Sequence, residues 1–338
     1  MAITIKDVAR ETGCSITTVS LVLNKKETRI SQKTRDRIIE TAQRLAYHPN
    51  QIAAGLASRR TRTLGLVMPD ITNSFFANIA GSVEAECEKR GYSLFLCNSN
   101  EDSAKDVDYI YNLMNQNIAG IMLIMASGNG GGHIPCCTGL LAEANVPLVF
   151  VDRFWPSSTA VNVYSDNEAG GYLAARALLE RGHRRIGFIS GTNGTASSNQ
   201  RLYGYIRALQ EYGVPFSSDL VAEGNYKTET GYLLGGKLMD KGVTAIFAAN
   251  DMMALGVYRQ AAERKISIPG DLSVIGYDNV AFTEFLSVPL TTVEQPTTEI
   301  GITAVTKIMA MLNGEADIKD EIFLPKLIER ESIKNIDN

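Results

Sequence analysis

Apolar positions recur at helical spacing over the first 45 residues and as short continuous runs after residue 62. Ile5, Val8 and Ala9 share one stripe of a helix that Thr4 can cap, with Asp7 three residues on in a box-like position. Gly13 breaks that helix at a place where a positive φ is needed. Ser15 is a second cap candidate. It opens a run in which Val19, Val22 and Leu23 face one way, leaving Thr17, Thr18, Ser20 and Leu21 to face elsewhere. Two short helices about a glycine turn fit a helix-turn-helix, whose second helix enters the DNA major groove; an ordinary αα-hairpin is the alternative. Ser31 can cap a third helix reaching about Leu45, with Ile38, Ala42 and Leu45 as its core stripe. Pro49 ends the pattern, and Asn50 can cap a segment over 51–57 that is too short and glycine-interrupted to be stable alone.

From residue 63 the pattern changes to alternating strands and helices. Apolar strands are expected over 64–68, 92–96, 118–125 and 146–151, and again over 185–190, 244–249 and 272–277. Helices are expected between them, the later ones near 166–181, 198–212, 228–241 and 251–264. Nearly continuous apolar strands separated by helices fit parallel sheets covered on both faces.

Charge sharpens this division. Residues 1–62 hold 12 Lys/Arg against five Asp/Glu, a net +7, and the remainder holds 21 against 32, a net −11. A basic head on an acidic body suits a polyanion partner for the head alone. Lys33, Arg35, Arg37 and Arg44 can meet phosphates, which set affinity and register rather than base sequence. The five cysteines have no disulfide-scaffold spacing, the start has no signal-like apolar core, and no apolar run is long enough to span a membrane. A reducing cytoplasm is the expected setting.

Here the residues become specific. Thr4-Ile-Lys-Asp-Val-Ala-Arg-Glu-Thr-Gly-Cys-Ser-Ile-Thr-Thr-Val-Ser-Leu-Val-Leu-Asn24 resembles the DNA-binding head of the LacI/GalR family of bacterial transcription repressors. Tyr47-His-Pro-Asn50 and Ala53-Ala-Gly-Leu-Ala57 resemble that family's junction and hinge helix. The resemblance implies a small all-α helix-turn-helix head with a hinge helix, and an α/β two-lobed body like the periplasmic sugar-binding proteins. It implies a DNA-binding domain over 1–48, a hinge and linker over 49–62, and a body over 63–338. Within the body it implies an N-lobe of 63–160 plus 291–322 and a C-lobe of 161–290 plus 323–338.

By the same resemblance, Ile16, Thr17 and Leu21 are base readers, with Thr18 and Ser20 in support. Thr4, Ser15, Asn24, Arg29 and Asn50 complete the expected DNA-facing set. Ile16 can meet a thymine methyl group. Leu21 stands where many relatives carry a polar or basic reader; it cannot make a bidentate guanine contact, and burial in the head is its alternative. Leu56 matches a leucine that wedges between bases of the minor groove, where Ala53 and Ala54 permit close approach. Two protomers would read a pseudo-palindromic operator. No leucine heptad follows residue 330, so a homodimer is expected rather than a tetramer.

The resemblance also implies an effector, a carbohydrate or related metabolite, bound between the lobes. Arg201 and Asp278 match the family pattern most closely; Asn73, Phe75, Asp152, Arg153, Tyr226 and Asn250 fall at strand ends or loops that also match. A guanidinium can bind vicinal hydroxyls, a carboxylate or a phosphate. Phe75 and Tyr226 can stack on a sugar face, with Trp155 as an extra platform. A structural ion pair or core-edge aromatic is the alternative role for each. Phe75 to Val83 and Phe282 to Leu286 are candidate subunit contacts, with core burial as the close alternative, and a phosphoprotein co-regulator is a further family option.

No cofactor or metal is expected. The glycine-rich stretch 128–133 lacks the spacing and Lys-Ser/Thr ending of a phosphate loop, and His133 with Cys136 and Cys137 lacks a closed zinc spacing. His48, His133 and His183 form no recognisable catalytic arrangement with a nucleophile. A solute-binding protein and an α/β enzyme are the rival readings: the first would lack the head, and the second would need a catalytic constellation.

Overall fold

A computed structural model describes residues 3–23, 29–47, 61–127, 134–156, 160–192 and 194–336, with side chains of the helix Ile134–Glu143 described from Cys137 onward. Asn24, Asn50, Ala53, Ala54 and Leu56, with the expected hinge helix, His48, the 128–133 loop and the Cys136 side chain, lie outside the described residues. The chain divides into a head, 1–62, and a body, 63–338.

The head contains helices α1 (Ile5–Thr12), α2 (Ile16–Leu23) and α3 (Gln32–Arg44). The Asp7 carboxylate accepts from the Thr4 N–H at 2.9 Å and the Thr4 hydroxyl at 2.7 Å, which secures the start of α1. Gly13 takes φ 63° and ends it. Ser15 Oγ then accepts the Thr18 N–H at 3.0 Å, and Ser31 Oγ accepts the Thr34 N–H at 3.3 Å, so each later helix starts on a serine. Val8, Ala9, Val19, Val22, Ile38 and Ala42 form the shared core. Burying an aliphatic side chain is worth about 1.5–3 kcal/mol, which is what makes three such short helices stable together.

The first sheet of the body has the order β11-β5-β4-β3-β1-β2, where β1 is Thr63–Met68, β2 Ser93–Asn98, β3 Gly120–Leu123, β4 Leu148–Val151, β5 Val161–Ser165 and β11 Glu321–Phe323. Every pairing in it is parallel. Alternate residues serve opposite faces. Leu64, Leu66, Met68, Met122 and Val149 pack under α4 (Ser74–Lys89) and the late helix Thr297–Leu312. Val67, Ile121, Leu123 and Phe150 pack under α5 (Ser103–Asn115) and α6 (Ile134–Glu143).

The second sheet has the order β7-β6-β8-β9, again all parallel, with β6 Ile186–Ser190, β7 Val221–Glu223, β8 Ala245–Ala248 and β9 Ser273–Ile275. It is accompanied by α7 (Asn167–Leu179), α8 (Ala196–Glu211), α9 (Thr228–Asp240) and α10 (Asp251–Glu263). The helix Thr297–Leu312 is α11. Helices α7 and α8 pack closely enough that a Cβ on Gly171 would stand 2.2 Å from the Arg201 carbonyl oxygen, so only glycine fits there.

The expected lobe boundaries need correction. Residues 161–165 were placed in the C-lobe, but they form β5, hydrogen-bonded to β4 in the first sheet. Residues 291–294 were placed in the N-lobe, but β10 (Thr292–Glu294) pairs with β12 (Lys326–Ile328), and Thr291 bridges to Ile275 beside β9. Phe323, expected in the C-lobe, pairs with Ser165 in the first sheet. The chain therefore crosses between lobes after β5, after β10 and after β11. Of the run Phe75 to Val83, Phe75, Phe76, Ile79, Ala80 and Val83 take the core role beneath the first sheet, and Ala77, Asn78 and Gly81 are its exposed side. Phe285, by contrast, is 83% exposed.

Candidate functional site

In the head, burial of Val19 and Val22 turns the opposite side of α2 outward. Ile16 is 45% exposed, Thr17 is exposed, and Ser20 and Leu21 are half-buried. Leu21 is not among the side chains packed on the head core, so its apolar surface lies on the outer flank of the helix. Thr18 is engaged differently: its N–H goes to Ser15 Oγ and its hydroxyl lies 2.8 Å from the same atom. Thr4 is likewise committed to Asp7, and Arg29 is exposed ahead of the Ser31 cap. Ile16, Thr17 and Leu21 present side-chain surface on the outward flank of α2, with Ser20 half-buried beside them.

In the body, side chains converge from the carboxyl ends of parallel strands, where ligands of open α/β sheets gather. Asn73, Phe75, Asp152, Arg153, Arg201, Tyr226 and Asp278 line one cavity, together with Phe76 and Ser197. The enclosed space is about 20 Å³, room for roughly one water molecule. A wider vestibule of about 220 Å³ adjoins it, sharing Asn73, Phe76 and Tyr226 and adding Glu101. Asn250 does not line the cavity. It caps α10 by accepting the Met253 N–H at 2.9 Å and donates to the Tyr226 carbonyl at 3.0 Å, so it holds the loop that carries Tyr226. Trp155 packs on the far-face core of the first sheet, 6.3 Å from the Phe150 ring.

Three lining residues sit at positive φ: Asp152 at 63°, Tyr226 at 65° and Asp278 at 108°. Non-glycine residues hold such angles only where the surroundings enforce them, and they concentrate at binding sites. Phe75 meets Phe76 edge-on at 5.3 Å.

Arg201 is buried and tightly placed. Its Nε donates to Asn167 Oδ1 at 2.8 Å, Nη1 donates to the Ala249 carbonyl, and its guanidinium carbon lies 3.8 Å from the centre of the Tyr277 ring. Its Nη2 stands 4.0 Å from Asp278 Oδ1, which also accepts from Gln295 Nε2 at 2.7 Å. Burial works against the Arg201 charge, and Tyr277, Tyr226, Asp278 and Asp152 together outweigh it and raise its pKa. Burial pushes the Asp278 carboxyl well above the usual range despite Arg201, and it raises Asp152 as well despite Arg153 and Arg201. Among the described residues, Asp152 Oδ1, the Tyr226 hydroxyl and Gln295 Oε1 are buried without a hydrogen-bond partner. Buried polar atoms are normally satisfied, so their concentration here marks a place for polar ligand atoms.

Sequence reasoning missed Phe76, Ser197, Glu101, Asn167 and Gln295. Phe76 is both a core residue and part of the lining. Glu101, Asn167 and Gln295 act through contacts between distant segments that no local pattern announces.

A helix-turn-helix head and a two-lobed α/β body with a polar interlobe cleft define a ligand-sensing DNA-binding regulator. The model for bacterial regulatory proteins of the lacI family matches residues 4–50, and that for a periplasmic binding protein-like domain matches 175–333. The HTH-type transcriptional repressor PurR of Vibrio atlanticus is 35% identical, with 98% of this chain and 99% of the relative covered. The HTH-type transcriptional regulator DegA of Bacillus subtilis is 36% identical, with 98% of each covered. The transcriptional regulator CelR in complex with cellobiose is 29% identical with a TM-score of 0.72, covering 98% of this chain and 99% of that one. The lac repressor dimer bound to operator and the anti-inducer ONPF matches in fold, with a TM-score of 0.87 at 24% identity over 99% of this chain and 100% of that one. This chain belongs to the lacI family of bacterial regulatory proteins and is a transcription regulator of the repressor type.

Proposed function

We propose that the protein represses carbohydrate-utilisation genes in the bacterial cytoplasm, releasing a palindromic operator when a carbohydrate or related metabolite enters the cleft. The observation that carries this reading is the convergence of Asn73, Asp152, Arg201, Tyr226 and Asp278 on one interlobe cavity with unsatisfied polar atoms. Ile16, Thr17, Ser20 and Leu21 read base edges, Arg29 and Lys33 approach phosphates, and Ala53, Ala54 and Leu56 supply the minor-groove hinge. Two copies act together. Phe95 and Leu96 on β2, an outer strand of the first sheet, and Phe285 in the second lobe are exposed apolar side chains suited to that contact. The effector changes how the lobes sit, which changes the cost of docking both heads, and linkage makes each ligand alter the other's affinity. CelR's complex with cellobiose supports a sugar-sized occupant. The comparisons lend no support to a phosphoprotein co-regulator.

Selection of bound DNA fragments by the full-length protein, repeated over a sugar and metabolite panel, tests this. The expected result is one enriched palindrome whose retention falls with one compound. Enrichment of no sequence would sink the repressor reading, and tighter retention would make the effector a co-repressor.

A further inference from the structure

Two buried arginines face the cleft, one from each lobe: Arg201 stands with its Nη2 4.0 Å from Asp278 Oδ1, whereas Arg153 is closed in a bidentate ion pair with Glu101. Arg153 is 5% exposed. Its Nη2 lies 2.9 Å from Glu101 Oε1 and its Nη1 3.1 Å from Glu101 Oε2, while Nη1 also donates to the Met125 carbonyl. The guanidinium carbon sits 5.5 Å from the Phe76 ring centre. Glu101 is itself fixed. Its N–H donates to the Pro69 carbonyl at 2.9 Å, it holds φ 59°, and Oε2 accepts the Ser127 N–H. Burial opposes ionisation of Glu101, and the Arg153 guanidinium outweighs it, holding the carboxyl below its ordinary range. The pair therefore stays ionised at neutral pH. A bidentate guanidinium–carboxylate pair is among the strongest side-chain contacts available.

The unpaired groups are of the opposite kind. Asp152 Oδ1 and Gln295 Oε1 can only accept hydrogen bonds while Asp152 is ionised, and the Tyr226 hydroxyl can do either. A ligand that satisfies them must bring donors. A phosphate or carboxylate brings acceptors rather than donors, and so leaves those buried acceptors unpaired.

We infer that Glu101 is a specificity-determining residue: by holding Arg153 in a closed ion pair, it makes the cleft admit uncharged, hydroxyl-bearing ligands and turn away phosphate- or carboxylate-bearing ones. This rests on the cleft being the effector site. Replacing Glu101 with a neutral residue frees a buried guanidinium that lines the cavity, which is the preferred partner of a phosphate.

The test uses full-length wild type, Glu101→Gln, Glu101→Asp and the double variant Glu101→Gln/Arg153→Gln. Calorimetric titrations use ribose and glucose, the phosphate monoester of each, and inorganic phosphate. Wild type should prefer each neutral sugar to its phosphate and show no response to inorganic phosphate. Glu101→Gln should gain inorganic phosphate binding and shift the phosphate-to-neutral ratio by about tenfold or more. Glu101→Asp should keep the wild-type order, and the double variant should lose the gain, which a merely structural role for Glu101 would not produce. A wild-type preference for a phosphorylated sugar overturns the inference. So does a Glu101→Gln protein blind to inorganic phosphate, or a gain that survives loss of Arg153. If Glu101→Gln does not fold, the wild-type order of the matched pairs decides. Operator binding measured alongside separates the two readings: an operator response to an anionic compound removes Glu101's role alone, whereas a DNA-binding protein that no compound either releases or holds more tightly removes the cleft as effector site.

Discussion

The helix caps of the head and the buried polar contacts of the cleft join residues over opposite distances along the chain. In the head, Thr4 meets Asp7, Ser15 meets Thr18 and Ser31 meets Thr34, each three residues apart. In the cleft, Gln295 reaches Asp278 across 17 residues, Arg201 reaches Asn167 across 34, and Arg153 reaches Glu101 across 52. These three caps define where the head's helices begin, so each can be lost singly at modest cost. The cleft's contacts hold charges out of water, so each loss strands a partner.

Arg201→Met tests the costly end of that contrast. It leaves Asp278 and Asp152 buried without their cation and should destabilise the body by about 3–5 kcal/mol at neutral pH in urea titrations, besides abolishing effector response. Burial raises the Asp278 pKa in the folded protein, so the folded state holds that proton to higher pH than the unfolded chain does. That contribution is complete below the unfolded carboxylate range and is lost as pH rises. The penalty in Arg201→Met should therefore shrink on acidification; a penalty independent of pH would break the argument.

Ile38→Ala comes next. Ile38 is wholly buried in the head core, and truncation should cost about 2–5 kcal/mol. Operator binding should be lost while effector titrations on the same protein stay unchanged. Loss of both activities would mean the head and body do not fold as separate units.

Ser15→Ala is the mildest. Removing the cap should cost about 1 kcal/mol, read as a small fall in the melting temperature of the head and weaker operator binding.

The same contrast in distance explains what was legible beforehand. Thr4, Asp7, Gly13, Ser15 and Ser31 carry local rules, and the structure places all of them where those rules require. The central strands were visible as apolar runs because both faces are buried. Strand β5 was not: Asn162 interrupts its run, and its polar side chain is buried because Asp320 accepts from it, a partner 158 residues distant. Seven cleft residues are legible through the family resemblance, Arg201 by its matching helix segment and the others at strand ends or loops. Glu101 and Asn167 were not found, because neither differs locally from any loop or helix-start polar residue.

The three crossings between lobes have a consequence for synthesis of the chain. The first sheet lacks its β11 edge, and one face of it lacks α11, until the ribosome has passed residue 323. The head needs only the first 45 or so residues, and the second sheet is complete by Ile275. A nascent molecule can thus carry a finished DNA-reading head while half its sensor still exposes an apolar face. Truncation near the C-terminus should accordingly damage the first lobe, far away in sequence, and leave the protein dependent on chaperones during translation.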